Sequence, residues 1–422
     1  MGVRGWCWVM FLCLQACAGG GMPNPADGSG MGVSSVESTQ PVSPSQSWVL
    51  VPADPVPSGY ELGQPDPLGP SYVSRYQNGY WQPPVPFKVW GLRLSSNCGD
   101  ITGLRCKGPR LGAPVSDVLV AWNQGWTGHG IRVMVEDEID KEHGVVTATL
   151  VSRYAPGASL YGLNVFSKFN NGQVFDNTQG QIPSDYPSTV KLGVVNASYT
   201  ASMADLLKSP APWTNEALLK ARIDYTPMAT ITVNRFNDAN LNAPSAGQLS
   251  RFSYADAVIT KAAGNDSIKA EFEPLNWFLT QDSAIKERLL IVGALDHAGS
   301  KTNPAEMASY SNTAGDDAQV QSRFLLASGT VPFDPGTVAI NGMPVKVTQG
   351  TSFAAPRVAG YVAILRSKFT NLNAQQSASI LLNTAGYDTL ACDKRPGGCN
   401  PAIYGKGEAN LSRALAPVGP LK

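Results

Sequence analysis

The chain has 422 residues, with 32 basic and 32 acidic side chains, a formal net charge of zero and 15% charged residues. No basic excess is available to neutralise phosphates, which argues against nucleic acid as a partner, and 43% hydrophobic residues exclude disorder throughout. Three histidines, His129, His143 and His297, confine any chemistry that needs an imidazole base to those positions.

At the N-terminus, Arg4 precedes an apolar run from Trp6 to Leu14. The run is shorter than the roughly 20 residues of a membrane-spanning helix and suits the core of an export signal over residues 1–16. Leu14-Gln15-Ala16-Cys17 resembles the bacterial lipobox, in which the cysteine receives lipid and becomes the new N-terminus. That resemblance implies a lipid anchor on Cys17. Ala18 stands where Asp would direct retention at the inner membrane, so it implies an outer-membrane lipoprotein facing the periplasm or the cell surface. Cys7 and Cys13 leave with the signal. Cys98 with Cys106, and Cys392 with Cys399, form two close pairs that an oxidising compartment permits as small-loop disulfides. Their spacings are not the CxxC of zinc sites.

Residues 17–45 are dominated by Gly, Ser and Pro with Asn and Gln among them, the composition of a flexible tether. Residues 46–115 stay proline-rich but regain aromatics (Tyr60, Tyr72, Tyr76, Tyr80, Trp81, Phe87, Trp90), which suggests an extended segment packed onto the domain that follows. From residue 116, apolar β-branched runs over 131–135, 194–198, 257–260 and 289–294 read as strands. Helical patterns over 143–153, 214–224, 244–254, 282–287 and 353–368 lie between and after them. Asn373 and Gln376 form a capping box that opens a helix over 374–384. This alternation predicts an α/β domain over 116–416, with a largely parallel central sheet and helices on both faces in three layers, followed by a tail at 417–422.

The strongest chemical signal is Gly350-Thr351-Ser352-Phe353-Ala354-Ala355-Pro356-Arg357-Val358-Ala359-Gly360. It places a serine at a helix start among small residues, where free amides favour developing negative charge. Pro356 is expected in the first turn, where its missing N–H costs nothing. The segment closely resembles the nucleophile motif of the subtilisin-like serine proteases (subtilases, peptidase S8). Thr127-Gly128-His129-Gly130-Ile131 through Val135-Glu136-Asp137 is similar to the segment that ends in the family's catalytic carboxylate. Ala262-Ala263-Gly264-Asn265 resembles its oxyanion-hole segment, and Asn196-Ala197-Ser198-Tyr199 the strand that lines its specificity pocket. Val292-Gly293-Ala294 with Ala308-Ser309-Tyr310-Ser311-Asn312, and Tyr404-Gly405-Lys406-Gly407, complete the match in family order.

The resemblance implies a subtilisin-like fold and a serine endopeptidase acting on protein or peptide substrates, a monomer without a cofactor. Ser352 would be the nucleophile, His143 the base, and Asn265 the oxyanion donor. His143-Gly144-Val145 carries Val where the family usually has Thr, and His129 and His297 fall in loops. Asp137 ends its strand in register with the family's carboxylate and is the first choice to orient His143, with Asp140 the second. Only six residues separate Asp137 from His143, whereas most subtilases have some tens, although six extended residues reach about 20 Å. That compression favours the alternative, a subtilase scaffold without catalysis serving as a binding or structural lipoprotein. Ser198, Tyr199 and Gly264 would line the substrate pocket. Tyr199, large where many members are small, would shrink or cap it, and Asp266 lies near its rim, so apolar or small residues are expected before the scissile bond. Structural calcium is common in the family, but no Asp-x-Asp-x-Asp-Gly loop supports a metal here.

Overall fold

The computed structural model describes residues 56–73, 116–137, 142–165, 189–238, 252–332, 347–394 and 398–417, with short strand pieces at 76–77, 80–81, 89–90, 111–112, 339–340 and 343–344. Cys17, Cys98, Cys106 and Asp140 lie outside the described residues, as do 244–251 of the helix expected over 244–254. The end of that segment, Phe252–Ser253, is a strand piece paired with Val190–Lys191.

In chain order the framework elements are α1 (Gly69–Val73), β1 (Val89–Trp90), α2 (Ser116–Asn123), β2 (Arg132–Asp137), α3 (Glu142–Tyr154), β3 (Ser159–Asn164), β4 (Val194–Ala197), α4 (Met203–Leu207), α5 (Asn215–Asp224), α6 (Thr226–Phe236), β5 (Val258–Ala262), α7 (Pro274–Gln281), β6 (Leu289–Leu295), β7 (Phe324–Ser328), α8 (Thr351–Lys368) and α9 (Ala374–Thr384). Seven strands form one sheet in the order β7-β6-β5-β4-β2-β3-β1, with every neighbouring pair parallel.

Strand periodicity explains why the sheet is covered on both faces. In β2, Val133 and Val135 enter one apolar cluster with α3 and α8, while Met134 enters the other with α6 and α7. In β6, Leu290, Val292 and Ala294 face the first cluster, and Leu289, Ile291 and Leu295 the second. A strand buried on both faces must be apolar at every position, which is why this run reads as continuous rather than alternating. This is the three-layer α/β architecture with a parallel central sheet that the alternation of elements predicts.

Helix α8 runs through the first cluster, with every residue except Arg366 buried. It begins at Thr351, so Pro356 lies in the second turn and not the first. The missing N–H therefore removes the intrahelical bond to the Ser352 carbonyl. At the other end of α8 the N-terminal arm is tied down. Gly63 N–H donates to the Lys368 carbonyl at 2.8 Å, Thr370 N–H to the Glu61 carbonyl at 2.9 Å, and the Tyr60 ring packs 4.9 Å from Phe369. Asp66, itself buried, accepts from the Thr127 hydroxyl at 2.7 Å. Near the C-terminus Cys392 and Cys399 are joined in a disulfide.

Candidate active site

A parallel sheet gathers the C-terminal ends of its strands along one edge, and the loops there build a crevice. Asp137 is the last residue of β2 and is buried. His143 is the second residue of α3, the helix that returns along the first face of the sheet. Its Nδ1 lies 2.8 and 3.0 Å from the two carboxylate oxygens of Asp137. Its Nε2 lies 2.9 Å from Ser352 Oγ, although the two residues are 209 positions apart. The Phe353 ring packs against the imidazole at 5.2 Å. The Thr147 hydroxyl, one helical turn beyond His143, shares its proton between Asp137 Oδ2 at 3.1 Å and the Gly144 carbonyl at 2.9 Å. The carboxylate thus meets two side chains of α3, the imidazole that it orients and this hydroxyl.

Asn265 follows β5 through Gly264, whose φ of +115° is open to glycine and strained for other residues. Asn312 Nδ2 would also lie 2.2 Å from a Cβ at Gly264. Asn265 Oδ1 accepts both the Thr351 N–H and the Thr351 hydroxyl at 2.9 Å. Two donors fix which end of the side-chain amide is oxygen, so Nδ2 turns to the open side. There, an atom placed on Gly350 as a Cβ would sit 3.0 Å from Ser352 Oγ and 3.6 Å from Asn265 Nδ2. The Ser352 N–H belongs to the first turn of α8, where amides lack intrahelical acceptors. Two N–H donors therefore border the space beside Ser352 Oγ.

The loop that carries Asn265 is shaped by Asn312. Its Oδ1 accepts the N–H groups of Asp266 and Ile268 at 3.1 Å, and its Nδ2 donates to the Ala263 carbonyl at 2.9 Å. Ser198 is buried and accepts from Asn196 Nδ2 at 2.8 Å. The Tyr199 hydroxyl donates to Glu136 at 3.0 Å and accepts from Arg235 at 3.1 Å. Arg235 in turn makes a two-pronged pair with Glu136 at 2.9 and 2.7 Å. The Tyr199 hydroxyl is therefore pinned between Glu136 and Arg235. Burial and the Glu136 charge push its phenol well above the usual range.

The Lys261 ammonium lies 5.8 Å from the Tyr199 ring centroid, with Glu273 and Asp266 nearby. Burial pulls the Lys261 ammonium down to about 8 against the opposing pull of Glu273, whose carboxylate is 3.7 Å away. Burial, and next the Glu273 charge, push the Asp266 carboxyl up to about 7. The other two histidines take no part in the site. His129 is on an exposed turn, and His297 pairs with Asp296 at 2.9 Å. Among the described residues, no group of three or more His, Cys, Asp or Glu side chains is placed to hold a metal ion.

The motifs therefore bring Asp137, His143, Ser352, Asn265 and Gly264 together. Thr147 and Asn312 are added by the structure. Thr147 carries no signal beyond lying one turn after the histidine. Asn312 closes a matched segment, but nothing in that segment marks it as the organiser of another loop.

The model of the subtilase family, peptidase S8, matches residues 122–407. No curated protein matches the chain. Among solved structures it is similar to the serine protease of Aeromonas sobria, at 16% identity and a TM-score of 0.46, over 74% of this chain and 65% of that one. The same protease in complex with its chaperone aligns at 16% identity and a TM-score of 0.44, over 72% and 63%. Fervidolysin of Fervidobacterium pennivorans, a keratinolytic enzyme related to subtilisin, aligns at 20% identity and a TM-score of 0.38, over 72% and 44%. The chain thus spans less than two thirds of the length of each of these three.

Proposed function

The chain belongs to the subtilase family, and on that premise we propose that it is a serine endopeptidase that hydrolyses peptide bonds of protein substrates. The observation that carries this reading is the single hydrogen-bonded line from Asp137 through His143 to Ser352, at 2.8 and 2.9 Å. In the proposed reaction Ser352 Oγ attacks the scissile carbonyl and His143 Nε2 takes its proton. The imidazole then gives that proton to the leaving amine. Asp137 keeps the Nδ1 proton in place and stabilises the imidazolium. Asn265 Nδ2 and the Ser352 N–H receive the negative charge on the tetrahedral oxygen. The acyl-enzyme is cleared by water in the reverse sequence, with His143 again as base.

A serine-directed fluorophosphonate and a generic protein substrate test this reading. Wild type should be labelled and should cleave the substrate, and Ser352→Ala should do neither. Equal cleavage by both would remove Ser352 as the nucleophile, and an unlabelled wild type would favour a binding role for the scaffold.

We further propose that the protein is exported and anchored by lipid on Cys17 in the outer membrane, acting as a monomer. This rests on the lipobox-like sequence and the tether-like composition after it. No helix among the described residues is long and apolar enough to cross a membrane. Incorporation of labelled fatty acid into wild type but not Cys17→Ser supports the anchor, and equal incorporation rejects it.

A further inference from the structure

Glu273 precedes α7 as its N-cap, and one carboxylate oxygen accepts the Asn276 N–H at 2.7 Å in that role. Its other oxygen does something a cap does not require. It reaches across to accept the Ala201 N–H at 2.9 Å, 72 positions away in the segment after β4. The side chain is fully buried, as is Lys261, whose ammonium lies 3.7 Å away and donates to the Ala262 carbonyl at 2.7 Å. The same cap connects to the opposite wall, because Asn276 Nδ2 donates to the Ala263 carbonyl at 2.9 Å, two residues before Asn265. Asp266, on that wall, turns its carboxyl towards the Met203 N–H and faces Glu273 and Asp205.

We propose that Glu273 is a positioning residue that braces the two walls of the substrate cleft, residues 199–203 and 262–266, against each other, and so sets the affinity for extended peptide without entering the chemistry. This deepens the protease reading above and rests on it for the identity of the two walls. A burial cost of this size is unusual for a helix cap, since Asp, Ser or Thr satisfies the same amide from a shorter side chain. A glutamate is needed only for the second oxygen to reach Ala201. The wall is also held at Tyr199 by Glu136 and Arg235. The brace therefore fixes its far end, where α4 begins with Ser202 as cap and Met203 as first residue.

Glu273→Asp separates bracing from capping, because a shorter carboxylate keeps the cap and loses the span to Ala201. Its expected effect is a rise of about tenfold in KM for peptides that occupy several subsites, in the range of one lost buried hydrogen bond. Neither kcat nor the rate of fluorophosphonate labelling at Ser352 should change more than about threefold. Hydrogen exchange followed by mass spectrometry should show the 199–207 segment opening faster while β5 and β6 keep their protection. An unchanged KM, or equal losses in KM, kcat and labelling, would overturn the assignment, as would unchanged exchange at 199–207. A wild type that neither labels nor cleaves would defeat the protease reading and the affinity claim with it. The exchange result would still decide, on its own, whether Glu273 ties the two segments.

Discussion

His143 Nδ1 lies within 3.0 Å of both carboxylate oxygens of Asp137, although only six positions separate the two residues. The pair needs no intervening strand, because β2 delivers the carboxylate and α3 turns the imidazole straight back over it. The short connection is a different route to the same contact. Replacing Asp137 by Asn should leave the fold intact and reduce kcat by about 10⁴, because the amide no longer enforces the required tautomer. Steady-state kinetics with a protein substrate, set beside a circular dichroism spectrum, checks both halves.

Thr147 tests the support of that carboxylate. Thr147→Val keeps the buried shape and removes the hydroxyl beside Asp137 Oδ2. A fall of about 3- to 10-fold in kcat/KM is expected, the usual scale of one net intramolecular hydrogen bond, because the hydroxyl proton is shared with the Gly144 carbonyl. No change would show that the helix backbone alone holds Asp137.

Asn265→Ala should lower kcat by about 10²–10³ with little change in KM, since the donor acts on charge that appears only in the transition state. Thr351→Val should show a milder version of the same pattern, because the Thr351 hydroxyl fixes the amide orientation of Asn265. If Thr351→Val raised KM alone, that orienting role would be rejected.

The buried pair of Glu136 and Arg235 predicts an asymmetry. Arg235→Met leaves an unpaired buried carboxylate and should cost about 3–5 kcal/mol in denaturant unfolding. The double replacement Glu136→Met with Arg235→Met should recover much of that loss, because it removes both desolvated charges. An equal or larger loss in the double variant would mean that the pair is net stabilising.

Glu408 gives a pH prediction. Burial pushes its carboxyl up to about 7, against the lowering effect of the Thr389 hydroxyl, the Gly299 N–H and His297, with Asp117 adding to the rise. An unfolded glutamate titrates near its ordinary value of about 4.3. Between those limits the folded protein holds the extra proton, so this group's contribution falls as pH rises through the window. The Tm of wild type relative to Glu408→Gln should therefore drop between pH 4 and pH 8. A constant difference would contradict the shift.

The sequence disclosed some elements better than others, for physical reasons. The run in β6 is apolar at every position because both faces are covered, and α9 announced itself through Asn373 and Gln376, which form the reciprocal cap. Strand β3 was missed because Ser159, Gly162 and Asn164 interrupt its apolar pattern. Helix α6 was missed because Thr226, Thr230, Thr232 and Val233 are weak helix formers. The Thr230 hydroxyl bonds back to the Thr226 carbonyl at 2.9 Å on the exposed side, while Ala229, Thr232, Arg235 and Phe236 are buried, so packing of that other face rather than propensity holds the helix. In the site, the groups proposed to face substrate stand in motifs because their chemistry restricts the residue type. The groups that hold them were not legible. Thr147 and Glu273 are ordinary residues whose importance depends on which distant atom lies opposite.

The spacing of the three central groups also orders their arrival during synthesis. Aspartate and imidazole sit on one βα unit and meet through a local contact, whereas Ser352 joins from 209 positions downstream. Domains tend to fold as units while the ribosome delivers them N-terminus first. On the proposed reading, the nascent polypeptide would therefore carry its base for most of its elongation without the hydroxyl that it activates. On the protease reading proposed above, the chain would gain its nucleophile with 70 of its 422 residues (422 − 352) still to be added, so residue order alone would make the base wait for its hydroxyl.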